Sequence, residues 1–452
     1  MAVAAQQELV ERIWSRDATV WTGADEDRWL GWLDEPKRMQ ERIGELERFA
    51  SEARADFTTF VLLGMGGSSL APEVLKRTFG VKGFHVLDTT HPAMIRHSLE
   101  FLDLPKTMFV VSSKSGTTLE TRSHFDFFWE KTGGNGKQFV AITDPGSELE
   151  HVASSRGMRV FAGEPTIGGR YSALSPFGMV PAALMEIGIA PVLEGAVRMA
   201  DACRGESNPG LELGLGLGEN WRRGRDKVCL TDTPGNFGLW AEQLIAESTG
   251  KQGKGLVPAP GESPEGPDRQ PGDVHLTDPT TIGSEFFRWE FAVAVAGTIL
   301  GVNVFDQPDV QAAKDRTKEV LESGEDPTLE PEGSLAELLE QADPPAYVAI
   351  QAFIDPARER ELRPLIDRAH ATGCVVTHGL GPRYLHSTGQ LHKGGPPTGL
   401  FVQVVDEYGA EIPVPNQPFG FGRLIRAQAE GDFQSLKERG RRIVRLRLEE
   451  VA

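Results

Sequence analysis

The chain has 452 residues, with 47 basic against 65 acidic side chains and a formal net charge of −18. That length exceeds one simple core, so two or three α/β units are expected, and so acidic a surface repels nucleic acid. No apolar run is long enough to span a bilayer, and the start, MAVAAQQELVERIWSRD, lacks an apolar signal core. The expectation is a cytoplasmic protein with no membrane partner. Cys203, Cys229 and Cys374 are far apart and show no metal spacing. They read as buried apolar residues.

Taken in order, Phe57–Gly64, Phe84–Asp88, Met108–Ser112 and Phe139–Thr143 are short continuous apolar runs. Continuous runs suit strands buried on both faces, and helical stretches at Leu70–Phe79 and Thr117–Lys131 alternate with them. The rhythm predicts a parallel sheet with covering helices. Residues 176–204 read as helix. The Gly-rich stretch Gly205–Gly218 reads as a break, with Gly214–Gly218 a helix-to-strand connection. It follows no strand and has no acid at the ribose distance, so it is no dinucleotide fingerprint. A second α/β unit begins at Lys227–Thr231, followed by a helix over Asn236–Gly250 and a Pro/Gly-rich loop from Pro258 to Asp273. Ser284–Val302 reads as a long buried helix and Ser323–Ser334 as a linker. Strands follow at Tyr347–Ile354, Cys374–Thr377 and Leu400–Val405, then a helix around Arg423–Arg441 and a strand at Ile443–Leu448. The division expected is an N-terminal helical segment at 1–45, a first αβα domain at 46–205, and a second with a C-terminal extension at 206–452.

Two strand-to-helix turns are unusual. Gly64–Ser69 (GMGGSS) includes Gly66, Gly67 and Ser68, and its glycines let the backbone approach a ligand. Ser113–Thr118 (SKSGTT) sets Ser113, Lys114, Ser115, Thr117 and Thr118 at a helix start, where N–H groups favour an anion. Without a Gly-Lys-Thr triplet or a Walker-B acid, a small phosphate ester suits this turn better than a nucleoside triphosphate. Arg170 follows two glycines and can stabilise a developing oxyanion. Glu247 precedes a Gly-rich turn that could hold a carboxylate in a cleft as a general base. Gln307, Lys314 and His386 are unremarkable taken singly.

Together the segments Gly64–Ser68, Ser113–Thr118, Gly168–Ser172, Glu247–Lys251, Asn303–Lys314 and Leu385–Gln390 resemble the glucose-6-phosphate isomerase family. The resemblance implies two sugar-isomerase-type three-layer αβα sandwich domains with mostly parallel sheets, plus helical extensions. It implies reversible isomerisation of glucose 6-phosphate and fructose 6-phosphate through a cis-enediolate, as in glycolysis and gluconeogenesis, with no metal or organic cofactor. By the same resemblance, Ser68, Ser113, Lys114, Ser115 and Thr118 bind the phosphate, with Gly66, Gly67 and Thr117 in the same turns. Arg170 stabilises the enediolate, Glu247 moves the proton, Lys314 and His386 open the ring, and Gln307 lines the pocket. The family's ring-opening histidine comes from the neighbouring subunit, which implies a homodimer with a shared site. The usual order places that histidine before the lysine-bearing helix, whereas here Lys314 precedes His386, so His392 stays an alternative. The segment Gly379–Gly395 is more similar to the isomerase part of fused transaldolase–isomerase chains. Two other readings are an isomerase that also takes mannose 6-phosphate, and a sugar-phosphate-binding protein without catalysis.

Overall fold

The computed structural model describes residues 3–324 and 326–451. Helices α1 (Val3–Trp14) and α2 (Glu35–Asp56) lead into the first sheet, α2 running past residue 45. That sheet is built from β1 (Thr59–Leu63), β2 (Phe84–Leu87), β3 (Thr107–Ser112), β4 (Phe139–Thr143) and β5 (Arg159–Ala162). Helices α3 (Leu70–Thr78), α4 (Pro92–Phe101), α5 (Leu119–Lys131) and α6 (Glu148–Ser155) connect them. The strands are all parallel, in the order β2-β1-β3-β4-β5. Alternate residues serve opposite faces. Phe60, Leu62, Val110 and Ile142 enter one core cluster, and Val61, Leu63, Phe109 and Ala141 the other. A large apolar side chain contributes roughly 1.5–3 kcal/mol when fully buried, so both faces of the sheet stabilise it.

The chain leaves β1 towards β2 on one side and returns to β3 on the other. The order therefore reverses at β1/β3, and a crevice opens beyond their carboxyl ends. The turns Gly64–Ser69 and Ser113–Thr118 both lie at that crevice.

The helical stretch at 176–204 is two helices, α7 (Pro176–Leu184) and α8 (Ile189–Ala202), separated at Glu186, whose φ is +59°. The Gly-rich run is also corrected. Gly214–Gly218 lies inside α9 (Pro209–Arg222), capped by the Asn208 side chain on the Leu211 N–H. The glycines serve contact. A Cβ on Gly214 would stand 2.4 Å from the Ala292 carbonyl oxygen, and one on Gly218 would stand 2.5 Å from Ile299. Helix propensity lost to glycine, about 1 kcal/mol each, is offset by close packing on the long buried helix that follows.

The second unit starts with β6 (Lys227–Leu230), α10 (Gly238–Thr249), β7 (Val257–Pro260) and β8 (Arg269–Gly272), a parallel sheet in the order β7-β6-β8. The expected loop from Pro258 to Asp273 thus contains strand residues at both ends. Helix α11 (Ile282–Leu300) is buried along nearly its whole length, as its apolar sequence predicts. Helix α12 (Gln311–Glu322) follows. Within the segment expected as a linker, Glu332 pairs with Arg445 through N–H···O bonds of 2.9 and 2.8 Å. After α13 (Leu335–Leu339) come β9 (Tyr347–Phe353), α14 (Arg363–His370), β10 (Val375–Leu380), α15 (Gly389–Gly394), β11 (Gly399–Val405), α16 (Phe421–Glu438) and β12 (Arg442–Arg447). These strands form a parallel sheet in the order β10-β9-β11-β12.

The second unit's strands are thus divided between two sheets, and proline explains the division. The Val257 N–H donates inward to the Asp226 carbonyl, which turns the nitrogens of Pro258 and Pro260 outward. An edge with prolines at its outward positions has no donors for another strand. The two sheets instead meet through side chains: Cys229, Val257 and Ala259 pack with Tyr347, Ala349, Val375 and Phe401. All three cysteines are free and buried, as expected. Among the described residues, no helix is long and apolar enough to cross a membrane.

Candidate functional site

At the end of β3 the chain turns sharply, with Gly116 at φ +73°. The turn is held by its own hydroxyls. Ser113 Oγ accepts from the Gly116 N–H at 3.1 Å and donates to Thr118 Oγ1 at 3.3 Å. Ser115 Oγ lies 2.8 Å from Thr117 Oγ1 and accepts from the Thr117 N–H at 3.2 Å. Thr118 caps α5 without a side-chain hydrogen bond, so the first N–H groups of α5 are not capped by it. That end of the helix suits an anion. Lys114 is turned away. Its ammonium donates to Asp144 at 2.8 Å and to the Glu164 carbonyl at 3.2 Å, and burial lowers its pKa against the pull of Asp144.

The Gly64–Ser69 turn includes a 3-10 turn at Gly66–Ser68, with Gly66 at φ +55°. Close approach requires both glycines. A Cβ on Gly66 would stand 2.6 Å from the His386 carbonyl oxygen, and one on Gly67 would stand 2.1 Å from the Gly169 carbonyl oxygen. Ser68 is buried beside them. This turn therefore locks the Arg170 turn and the His386 segment to the first sheet.

Arg170 is buried, and its fork is fully engaged. Nε donates to Ser248 Oγ at 2.9 Å, Nη1 to Gln307 at 2.8 Å, and Nη2 to the Val304 and Asp306 carbonyls at 2.7 and 3.0 Å. Glu247 comes from the last turn of α10. Its carboxylate lies 3.5 Å from Arg170 Nη1 and accepts from Gln243 Nε2 at 3.0 Å. The same Gln243 nitrogen donates to the His386 carbonyl at 2.8 Å. Lys251, beneath this group, donates to Asp306 and Asn303, and burial chiefly pulls its pKa down to about 8.

A cavity of about 650 Å³ is lined by Thr117, Thr118, Glu120, Lys314, His386 and Gln428 among others, whereas Arg170, Glu247 and Gln307 are not on its wall. Ser115 also lines it, and Lys314 reaches it from α12. His386 Nε2 lies 2.8 Å from Glu120 Oε1. Burial works to raise the Glu120 pKa, but the charge of His386 and its hydrogen bond hold it down to about 2. His392 is placed elsewhere. Its ring is buried between Tyr384 and Phe401, with Nδ1 on Gln351 at 2.9 Å, and burial holds its pKa well below the usual value. Of the two histidines, His386 alone lines the large cavity. His386 and the Glu120 it meets belong to the same chain here.

Sequence reasoning missed Glu120, Gln243 and Gln428. Glu120 had a weak signal, two residues beyond Thr118, but an acid in a first helical turn usually answers the helix dipole. Gln243 and Gln428 had none, since a glutamine on an amphipathic helix looks solvated.

Residues 31–208 match the phosphoglucose isomerase family model. A glucose-6-phosphate isomerase of Carboxydothermus hydrogenoformans is 33% identical over 248 residues, which cover 49% of this chain and 53% of that protein. One from Thermus thermophilus is 33% identical over 233 residues, covering 49% of this chain and 56% of that protein. The chain thus spans about half the length of the curated relatives it matches. In fold it is similar to a glucose-6-phosphate isomerase structure from Chlamydia trachomatis, with TM-score 0.58 and 21% identity, over 71% of this chain and 84% of that one. The structure of a hypothetical protein from Thermus thermophilus matches 99% of this chain and 84% of that one, with TM-score 0.51 and 23% identity. The likeness to the phosphoglucose isomerase family model thus lies in residues 31–208.

Proposed function

We propose that this protein interconverts glucose 6-phosphate and fructose 6-phosphate. The observation that carries the reading is the single Gln243 amide nitrogen that holds both the Glu247 carboxylate and the His386 segment, with Arg170 3.5 Å from Glu247. The hydroxyls and N–H groups at Ser113–Thr118, with Ser68, hold the phosphate, and that remote grip orients the reacting end. His386 and Lys314 exchange protons with the ring oxygen and the hydroxyl, which opens the sugar. Glu247 then removes the proton beside the carbonyl and returns it one carbon away. The enediolate between these steps puts charge on oxygen. Arg170, fixed by its partners before substrate arrives, stabilises that charge without reorganising. The hydrogen-bonding of Lys114 to Asp144 favours a phosphate grip that uses its backbone and not its ammonium. A cytoplasmic homodimer belongs to the same reading, supported by the resemblance alone, and sedimentation of the purified protein tests the dimer.

Glu247→Gln keeps the shape of the site and removes the base. Isomerisation should fall at least ~10²–10⁴-fold, the usual contribution of a positioned base, while fructose 6-phosphate still binds by calorimetry. Retained turnover in that variant would sink the base assignment.

A further inference from the structure

Glu120 does not meet His386 alone. Gln428, buried on α16, donates from Nε2 to the same Glu120 Oε1 at 2.7 Å. Its own Oε1 accepts from Thr90 Oγ1 at 2.8 Å, and Thr90 is fully buried in the turn between β2 and α4. Four side chains from four separate parts of the chain thus form one line: Thr90, Gln428, Glu120, His386.

The direction of each bond follows from its neighbour. An ionised carboxylate only accepts, so the amide must present nitrogen to Glu120 and oxygen to Thr90, whose hydroxyl then donates. Protonating Glu120 would favour turning the amide round. That would set its nitrogen against Thr90, whose oxygen can also accept, at the cost of the donor bond to Glu120. With two donors on Oε1, the ionised form keeps a fixed orientation, and His386 must offer its Nε2 proton to it. The Nδ1 atom is then the nitrogen left for proton exchange. Charged and titratable groups facing Glu120 are His386, Lys314 from α12 and His124 from α5, with Lys393 from α15 on the cavity wall.

We propose that Gln428 and Thr90 are positioning residues that set the tautomer of His386 through Glu120, leaving Nδ1 to serve the sugar. The inference deepens the isomerase reading and rests on it for its kinetic consequence. The tautomer itself does not depend on turnover. Both residues lie apart from the phosphate turns, and Gln428 lies outside residues 31–208.

The test uses the full-length protein with Gln428→Met and Thr90→Val, both near-isosteric. ¹⁵N-labelled histidine spectra report the His386 tautomer directly, with His386→Asn assigning the signal. Wild type should show a protonated Nε2. Gln428→Met should mix the two tautomers, and Thr90→Val should do so less. In turnover, Gln428→Met should lower kcat about tenfold or more, the equivalent of one hydrogen bond to a charged group. KM should be unchanged, and the acid limb of the kcat profile should move to higher pH. Unchanged tautomer and pH profile in Gln428→Met overturn the proposal, even if its melting temperature drops. If that variant does not fold, wild type with a protonated Nδ1, or Thr90→Val with an unaltered His386 spectrum, overturns it equally. A wild type that turns over no hexose phosphate but shows the Nε2 proton and its loss in Gln428→Met refutes the isomerase reading and leaves the relay standing.

Discussion

The two ends of the cavity are built by different means. At the proposed phosphate end, the hydroxyls of Ser113, Ser115, Thr117 and Thr118 hydrogen-bond to one another and to the backbone of their own turn. At the proton-transfer end, His386 depends on Glu120, which is 266 positions away, and on Gln428 beyond it. A local turn keeps its shape when one hydroxyl is lost. A long-range network loses its geometry when one member goes, because each donor fixes the acceptor of the next. The two ends should therefore fail differently.

The largest effect is expected at the distant network. Glu120→Gln replaces the acceptor beside His386 with an amide, and kcat should fall about 10²-fold or more while KM changes little. An equal rise in KM would mean the two ends are not separable. Next comes the phosphate turn. The double variant Ser113→Ala, Thr118→Ala should raise KM about tenfold, as expected for hydrogen bonds to a charged group, with a smaller loss in kcat. Steady-state kinetics on fructose 6-phosphate measure both.

A third effect is on stability. Glu120 has its pKa held at about 2, below the ordinary 4.5. Its folded value is depressed, so its contribution is fully present above about pH 4.5 and is lost as pH falls towards about 2. The urea midpoint of the wild type should drop across that window, and Glu120→Gln should flatten the drop. An identical pH dependence in both proteins would show that the His386 contact does not hold this carboxylate. The smallest effect is expected at Lys114. Its ammonium is tied to Asp144, so Lys114→Met should change KM by about twofold or less, as for a side chain that makes no contact with the ligand. A tenfold rise in KM would put the ammonium on the phosphate after all.

The same contrast decides what could be read from the sequence. Both turns were legible because their chemistry sits within six residues and follows an apolar run. Strands β1 to β4 were legible to within a residue or two because they form short continuous apolar runs, but β5, a largely exposed edge strand, was not. Strands β7 and β8 were not, since VPAP and RQPG read as loop. Prolines are tolerated there because both are edge strands. Helix α9 was missed because glycine marks a break unless another helix lies against it, and only the fold reveals Ala292 and Ile299 opposite Gly214 and Gly218. At the site, Arg170 and Glu247 were individually visible as chemistry-bearing residues, and His386 only through the resemblance. That Gln243 ties two of them together is a tertiary fact. The choice between His386 and His392 likewise turned on burial, which six residues of spacing do not reveal.

The proposed reaction turns on the Glu247 carboxylate moving a proton between adjacent carbons of a bound sugar phosphate. Incubating the wild-type protein with fructose 6-phosphate in deuterated water and following the products by NMR tests it directly. The account predicts glucose 6-phosphate carrying deuterium at C2, with both the conversion and the label lost in Glu247→Gln. Saturable binding of fructose 6-phosphate with neither isomer formation nor deuterium uptake by the wild type would contradict it.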